Sequence, residues 1–377
     1  WLKPFRRVFT GMATRYRCLE LWRLTPEILA MPLDERLTYV DKHLTLVSKV
    51  PFDDDSFSKN VPMGFREELS VLAFFFLLMG GPFLCLGLFF GALAWAQWST
   101  FFGVVVIIAV LAFHPMPAPE RMTRVRFTIS LYKYFSFRML WIDDTKERVE
   151  NCGGWIAPSP PHGVLPLANI LSMPAINAIS RVRFLGGGAS IVLHTPFLRY
   201  MGAFGGAIDV SRASMMRAVN QGNCVGIVPD GIAGIFQMCA KSNATMKEEL
   251  VYLKSRKGLA RLSLTKGVPL VPAYSIGNTA VFRAWYDGCG IMEGLSRRLQ
   301  ISLFFFWGRF GLPLPFRVSI SLVVGKPLVP EHVGENIPAP TEEAIDELHG
   351  KLLEGIRECY DTFKGACGWG DRTLRFI

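Results

Sequence analysis

From Leu69 to Phe113 the chain carries no charged side chain, a stretch that few soluble folds can hide. Its first part, LSVLAFFFLLMGGPFLCLGLFFGALAWA (69–96), exceeds the roughly 20 apolar residues that a membrane span needs. The second, STFFGVVVIIAVLAF (99–113), is shorter, and Ala94-Trp95-Ala96-Gln97-Trp98 lies between them. Two apolar segments this close predict a helical hairpin rather than independent crossings. Gly80-Gly81-Pro82 should bend the first arm, so a re-entrant loop satisfies the pattern as well as a transmembrane pair does. Lys3, Arg6, Arg7, Arg15, Arg17 and Arg23 precede the hairpin; Arg121, Arg124, Arg126, Lys133 and Arg138 follow it. Basic flanks on both sides place both on the cytosolic face. The blander reading, a buried hairpin in a large soluble core, would call for a polar face that these segments lack.

Half of the 377 residues are hydrophobic and the formal net charge is +10, with a mean hydropathy of +0.29. That leaves room for one α/β domain of about 250 residues plus an anchor, or for two small domains. The expected organisation is a basic cytosolic segment over 1–68, a membrane hairpin over 69–113 and a catalytic domain over 114–377. Nucleic acid is not an expected partner, because no basic run is interleaved with exposed aromatics and no zinc or helix-turn-helix pattern is present. The basic residues flank apolar segments, which suits membrane lipids and a phosphate-bearing substrate. Cys18, Cys85, Cys152, Cys224, Cys239, Cys289, Cys359 and Cys367 are scattered without C-x-x-C spacing, so no metal site or redox pair is expected and the catalytic side should be reducing. Trp1 rather than Met opens the sequence, which is expected to begin inside a longer chain.

Beyond about residue 150, short apolar runs punctuated by Gly and Pro alternate with helical stretches. Gly154–Ala157, Ala189–Leu193, Ala207–Val210, Cys224–Val228, Leu270–Ser275 and Val318–Val324 read as strands buried on both faces. Ala213–Gln221 and Ser255–Lys266 read as helices. Thr341–Phe363 places Ile345, Leu348, Leu352, Ile356 and Phe363 on one side of an amphipathic helix, with Thr341 as N-cap. The order predicts an α/β fold, a central sheet flanked by helices.

The candidate active site is WIAPSPPHGVLPL (155–167). Pro158, Pro160 and Pro161 stop a strand, and His162-Gly163 falls where the next element begins, the position at which open α/β sheets bind ligands. Imidazole is the side chain best suited to take a proton near neutral pH, and Gly163 allows close approach. As an isolated residue, His162 reads equally well as a hydrogen-bonded turn histidine. His43, His332 and His349 lie in polar contexts and His114 ends the hairpin, which leaves His194 as the rival. Gly186-Gly187-Gly188 lacks the Lys-Ser or Lys-Thr of a phosphate loop and reads as a turn. No G-x-S-x-G elbow is present. Pro229-Asp230-Gly231 is either a plain turn or the loop that presents Asp230 to a histidine or a substrate hydroxyl.

The blocks PPHGVLPL (160–167), HTPFLRYMG (194–202), VPDGIAGIF (228–236), YLKSRKGLARLSLTKGVPLVPAYSIGN (252–278), FFWGRFGLPLPF (305–316) and VVGKPLVP (323–330) together resemble the type-2 diacylglycerol acyltransferases, their plant and algal branch in particular. The resemblance covers about residues 125 to 365 and includes the N-terminal hairpin. It implies a glycerolipid-acyltransferase-like sheet and transfer of an acyl group from acyl-CoA to diacylglycerol or a related lipid alcohol, without a metal or redox cofactor. It implies residence in the endoplasmic reticulum membrane or on lipid droplets. It makes His162 the catalytic base; backbone N–H groups near Gly163 would then stabilise the oxyanion, and Asp230 could stand in for the family's acidic partner. Pro161, Arg256, Lys257, Gly258, Asn278 and Arg309 become candidate substrate contacts. Three departures stand out: Pro160 where the family has His or Glu, Gly234 where a Glu is expected after the Pro-Asp-Gly turn, and Leu167 where broader glycerolipid acyltransferases place an Asp. Arg309, inside the apolar run 303–316, needs a partner or a function, and the run itself reads as a membrane-dipping element. The sequence leaves open whether the chain forms a homo-oligomer.

Overall fold

A computed structural model describes residues 14–95, 98–115, 126–203, 206–236, 247–299, 302–332 and 340–377. Lys3, Arg6, Arg7, Arg121, Arg124, Cys239 and the hairpin tip at Ala96-Gln97 lie outside the described residues.

The elements run β1 (Tyr16–Glu20), α1 (Pro26–Ala30), α2 (Leu33–Tyr39), β2 (Thr45–Ser48), α3 (Phe65–Ala94), α4 (Trp98–Phe113), α5 (Arg126–Tyr134), β3 (Arg138–Ile142), α6 (Thr145–Glu150), β4 (Ile156–Pro158), α7 (Leu167–Ile179), β5 (Phe184–Gly188), α8 (Ser190–His194), α9 (Arg199–Ala203), β6 (Ile208–Asp209) and α10 (Arg212–Asn220). They continue with β7 (Cys224–Ile227), β8 (Glu248–Val251), α11 (Gly258–Lys266), β9 (Ala273–Ile276), β10 (Arg283–Trp285), α12 (Ile291–Leu299), β11 (Phe305–Trp307), β12 (Ser321–Val324), α13 (Glu342–Phe363) and β13 (Thr373–Phe376).

The fold is mixed α/β. One sheet has the order β2-β1-β3-β12-β9, with β12 parallel to β3 and the other pairs antiparallel. The second, β4-β7-β5-β6, is parallel throughout. Leu270, just before β9, bridges to Ile156 at the start of β4, so the two sheets meet along a seam. Alternation along β4 feeds two cores: Trp155 and Ala157 join the side covered by α7, while Ile156 joins the side covered by α10, α11 and α13. Every residue of the predicted α13 stripe is buried, and Thr341 Oγ1 accepts the Ala344 N–H at 3.2 Å.

Two expectations are corrected. Ala189–Leu193 is no strand: Ser190–His194 is helical, and the Leu193 N–H bonds to the Ala189 carbonyl at 3.2 Å. A five-residue β-branched run carries too little period to separate the two. The strand lies just upstream and includes the three glycines expected to be a turn. Side chains fill the space beside them: a Cβ at 186 would strike Met173 Sδ, and one at 187 would come 2.8 Å from Ile227 Cγ2.

The segment ahead of the hairpin is also more than a basic arm, because β1 pairs with β3 along its whole length. α3 and α4 form a helical pair in which α3, despite Pro82, is a continuous helix of 30 residues. Phe76, Phe83, Leu84 and Phe90 on α3 and Phe102, Val106 and Ile107 on α4 are each more than half exposed. Among the described residues α3 alone is long and apolar enough to cross a membrane, and only 33% of its apolar window is buried. The HTPFLRYMG block clamps this pair. The Phe197 ring lies where a Cβ of Gly81 would stand, midway along α3. Arg199 donates to the Leu111 and His114 carbonyls at 3.0 and 2.7 Å, closing the C-terminus of α4.

Candidate active site

β4 must end at the prolines, and the loop beyond it is held by partners far away in sequence. The Pro160 carbonyl accepts the Ser275 N–H of β9 at 2.9 Å. Asn278, two residues past β9 and 1% exposed, donates through Nδ2 towards the carbonyls of Pro161, His162 and Leu165 at 3.1, 2.8 and 3.2 Å. Its Oδ1 accepts the Ala168 N–H at 3.1 Å, tying the loop to the start of α7. Gly163 has φ +61, and a Cβ there would come within 3.0 Å of Asn278. One buried amide therefore shapes the whole turn.

The half-buried His162 sits on this turn. Its backbone N–H donates to Asp230 Oδ2 at 3.0 Å, while its ring Nδ1 lies 3.0 Å from the Gly163 carbonyl. A carbonyl accepts only, so this contact selects the tautomer with hydrogen on Nδ1 and leaves the Nε2 lone pair as the proton acceptor. Asp230 is fully buried at the end of β7; its Oδ1 has no hydrogen-bond partner among the described residues. Burial raises its carboxyl above the usual range, opposed by the His162 charge and backbone N–H and by Arg256. Asp230 thus orients the backbone of His162, and no hydrogen bond links it to the imidazole ring.

The other predicted residues spread outward. Arg256 Nη1 donates to the Pro229 carbonyl at 2.9 Å, and its guanidinium lies 4.9 Å from the Tyr252 ring, so it buttresses the Asp230 loop. Lys257 forms an ion pair with Asp346 of α13, and Gly258 opens α11. Arg309 stands apart: it pairs with Glu68 in the first turn of α3 and approaches the Tyr134 hydroxyl at 3.5 Å. The structure brings Pro161, His162, Gly163, Asp230 and Asn278 together, sets Arg256 behind Asp230, and places Arg309 at the base of the hairpin. His194 lies against Phe113, ring centroids 5.9 Å apart, with Nδ1 2.8 Å from the Ser190 carbonyl.

Glu249 was not singled out by sequence reasoning. It is 2% exposed, accepts from Thr279 Oγ1 at 3.2 Å, meets Arg372 Nη1 at 3.1 Å and lies 3.5 Å from the Tyr274 hydroxyl. Burial pushes its carboxyl up to about 7, although Arg372 and Thr279 favour the anion. Its neighbours Tyr274 and Thr279 adjoin Ser275 and Asn278, the two residues that hold the histidine loop. Within MKEELVYL nothing but context marks this glutamate. On the other face of β4, a mostly apolar cavity of about 50 Å³ is lined by Trp155, Ala157, Phe184, Ile176 and Ala273, and reaches Ser159.

A family model described as diacylglycerol acyltransferase matches residues 97–376. Human 2-acylglycerol O-acyltransferase 3 is 33% identical over 32% of this chain and 38% of its own length. Diacylglycerol O-acyltransferase 2 of Danio rerio is 28% identical over 48% of this chain and 52% of its own. Acyl-CoA wax alcohol acyltransferase 2 of Mus musculus is 30% identical over 46% of this chain and 53% of its own. The matches thus span about half or less of these relatives.

Proposed function

Because the chain belongs to the diacylglycerol acyltransferase family, we propose that it is a membrane-bound acyl-CoA-dependent O-acyltransferase that esterifies a lipid hydroxyl, diacylglycerol giving triacylglycerol. The motif blocks of its second half support a place in the plant and algal branch. The observation that carries the mechanism is the pinned loop: His162 with Nδ1 turned to the Gly163 carbonyl and Nε2 left to accept a proton. In the transfer, Nε2 takes the proton of the acceptor hydroxyl as its oxygen attacks the thioester carbon. Backbone N–H groups at Gly163 stabilise the resulting oxyanion. The carbon–sulfur bond then breaks, the imidazolium returns its proton to the departing thiolate, and the products are the ester and free coenzyme A. A thioester is activated enough for this exchange to need no metal or redox cofactor. The α3–α4 pair anchors the enzyme in the endoplasmic reticulum membrane, and at lipid droplets, with the catalytic domain on the cytosolic side. Its exposed aromatic and aliphatic surface supports that placement.

The alternative from a different class is a catalytically silent membrane or lipid-droplet scaffold that keeps the fold, which Gly234 in place of the expected Glu and the altered Pro160 would favour. A Cβ at Gly234 would fall 2.5 Å from Asp230 Cβ and Oδ2, so the carboxylate of Asp230 already fills that space. Monoacylglycerol and long-chain alcohols remain rival acceptors, supported by the names of two relatives. The test supplies purified protein with labelled acyl-CoA and competing acceptors, and identifies the esters formed. Triacylglycerol should dominate, and His162→Ala should lower its formation by roughly 10²–10⁴-fold with membrane association unchanged. Activity near wild type in that variant would remove His162 as the base, and no ester from any acceptor would favour the scaffold.

A further inference from the structure

α12 is amphipathic, yet its apolar side faces away from the protein. Asp287 caps its start, accepting the Ile291 and Met292 N–H groups at 2.7 and 2.8 Å. Ser296 is its buried contact point and accepts the Leu303 N–H at 2.8 Å. Ile291, Leu295 and Leu299, each four residues from the next, are 71%, 45% and 51% exposed. At about 100° per residue they share one narrow stripe, which Arg298 flanks. The adjacent β10–β11 ribbon continues this surface: Trp285 and Phe305 pair in register, both more than half exposed, with ring centroids 5.9 Å apart. Phe304 and Phe306 turn inward instead. Just past β11, Phe310 is 74% exposed, and its neighbour Arg309 pairs with Glu68 where α3 begins. Along the chain the exposed apolar residues run from Trp285 through α12 and Phe305 to Phe310, beside the base of the hairpin; Arg283 and Arg298 are exposed among them, while Arg297, on the opposite side of α12, pairs with Glu293.

We propose that α12 and the Trp285–Phe305 pair lie in the headgroup layer of an anionic bilayer, a membrane contact distinct from the hairpin. The proposal rests on the membrane reading of α3 and α4. Three aliphatic side chains in one stripe, two paired aromatics and exposed Arg283 and Arg298 are the composition of an interfacial element, and the Arg309–Glu68 pair ties the end of this segment to the start of α3. With its surface seated this way, the catalytic domain is held against the bilayer at two places.

The test reconstitutes the full chain into phosphatidylcholine vesicles containing a minority of phosphatidylserine, with bromine on the acyl chains as quencher. The chain has nine tryptophans, so the Trp285 signal is taken as the difference between wild type and Trp285→Phe. That signal should be roughly halved, because the ring would sit about 5–10 Å inside the headgroup boundary. Combined Ile291→Ser, Leu295→Ser and Leu299→Ser should relieve the quenching while Trp95 and Trp98, beside the hairpin tip, stay quenched. Leu295→Gln serves if the triple variant fails to fold. Arg298→Glu should weaken the dependence on phosphatidylserine. An unquenched Trp285 beside a quenched hairpin overturns the proposal and leaves the hairpin standing, and so does a triple variant that behaves as wild type. No quenching at any tryptophan overturns the hairpin reading and this proposal together.

Discussion

At the scale of single residues, the site turns on the buried carboxylate of Asp230, which fills the space a side chain at 234 would take. Asp230 and Gly234 lie four apart on one turn, with the Gly234 N–H bonded to the Asp230 carbonyl at 2.9 Å, and only one of the two positions can carry a side chain into the space beneath His162. Asp230→Asn keeps an oxygen for the His162 N–H and should retain most activity; Asp230→Ala leaves that donor unpaired, at a cost of about 1–3 kcal/mol, and should lower kcat by roughly tenfold or more. Initial rates on both variants, compared with their melting temperatures, test this: equal kcat in the two would remove Asp230 from the support of His162. Glu249 makes a second prediction, with a definite sign. Its folded pKa is raised to about 7 from 4.5, so its contribution to stability is full below about 4.5 and is lost as pH rises through about 7. Glu249→Gln, which cannot ionise, should remove that loss, on the order of 3 kcal/mol between pH 5 and 8. Denaturant midpoints that fall as steeply in the variant as in wild type would show that Glu249 is not the titrating group.

At the scale of elements, the histidine turn is built by β9 more than by its own sequence. The PPHG block was legible because prolines end strands and imidazole titrates near neutral pH. The residue that shapes the turn is Asn278, more than 100 positions away, and its donor role depends on a contact that periodicity cannot reveal. β1, β2 and β3 escaped notice for a related reason: β1 is held between β2 and a partner across the hairpin, β3, and each strand is only four or five residues long. By contrast α13 was readable residue by residue, since an amphipathic stripe over six turns is a local signal. Asn278→Asp isolates the donor function. It keeps the oxygen for the Ala168 N–H but points acceptors at three carbonyls, and should cost about 2–4 kcal/mol of stability and most of the activity. Melting temperature and turnover within error of wild type would mean the turn holds itself. Gly81→Leu tests the clamp on the hairpin, because any side chain at 81 displaces the Phe197 ring. The variant should expose the 194–203 segment to protease in detergent, and an unchanged digestion pattern would mean that Phe197 does not hold α3.

At the scale of the whole molecule, the sheet constrains the topology of the proposed anchor. β1 lies before the hairpin and β3 after it, yet they are hydrogen-bonded neighbours, with Cys18 opposite Leu140. Strands so paired stand roughly 5 Å apart, so no membrane can separate them and the segment between must return to the side it left. The basic flanks argued the same from charge, and the pairing now argues it from geometry. The two arms are unequal: 30 residues of α3 make about 45 Å of helix, and 16 residues of α4 about 24 Å. A hydrocarbon core of about 30 Å is longer than α4, whose C-terminus is fastened to Arg199 of the catalytic domain. If the tip, with Trp95 and Trp98 beside it, reaches the far interface, the Arg199 cap must sink to the near headgroups; if it does not, the pair lies within one leaflet. Single cysteines at Ser48 and Asp144 in a background lacking the native ones should both react with an impermeant maleimide added from the cytosolic side. Protection of one but not the other would contradict the β1–β3 pairing itself. A third cysteine at Trp95 then reports the depth: labelling only from the luminal side means the hairpin crosses, and labelling from neither side means it turns inside the bilayer.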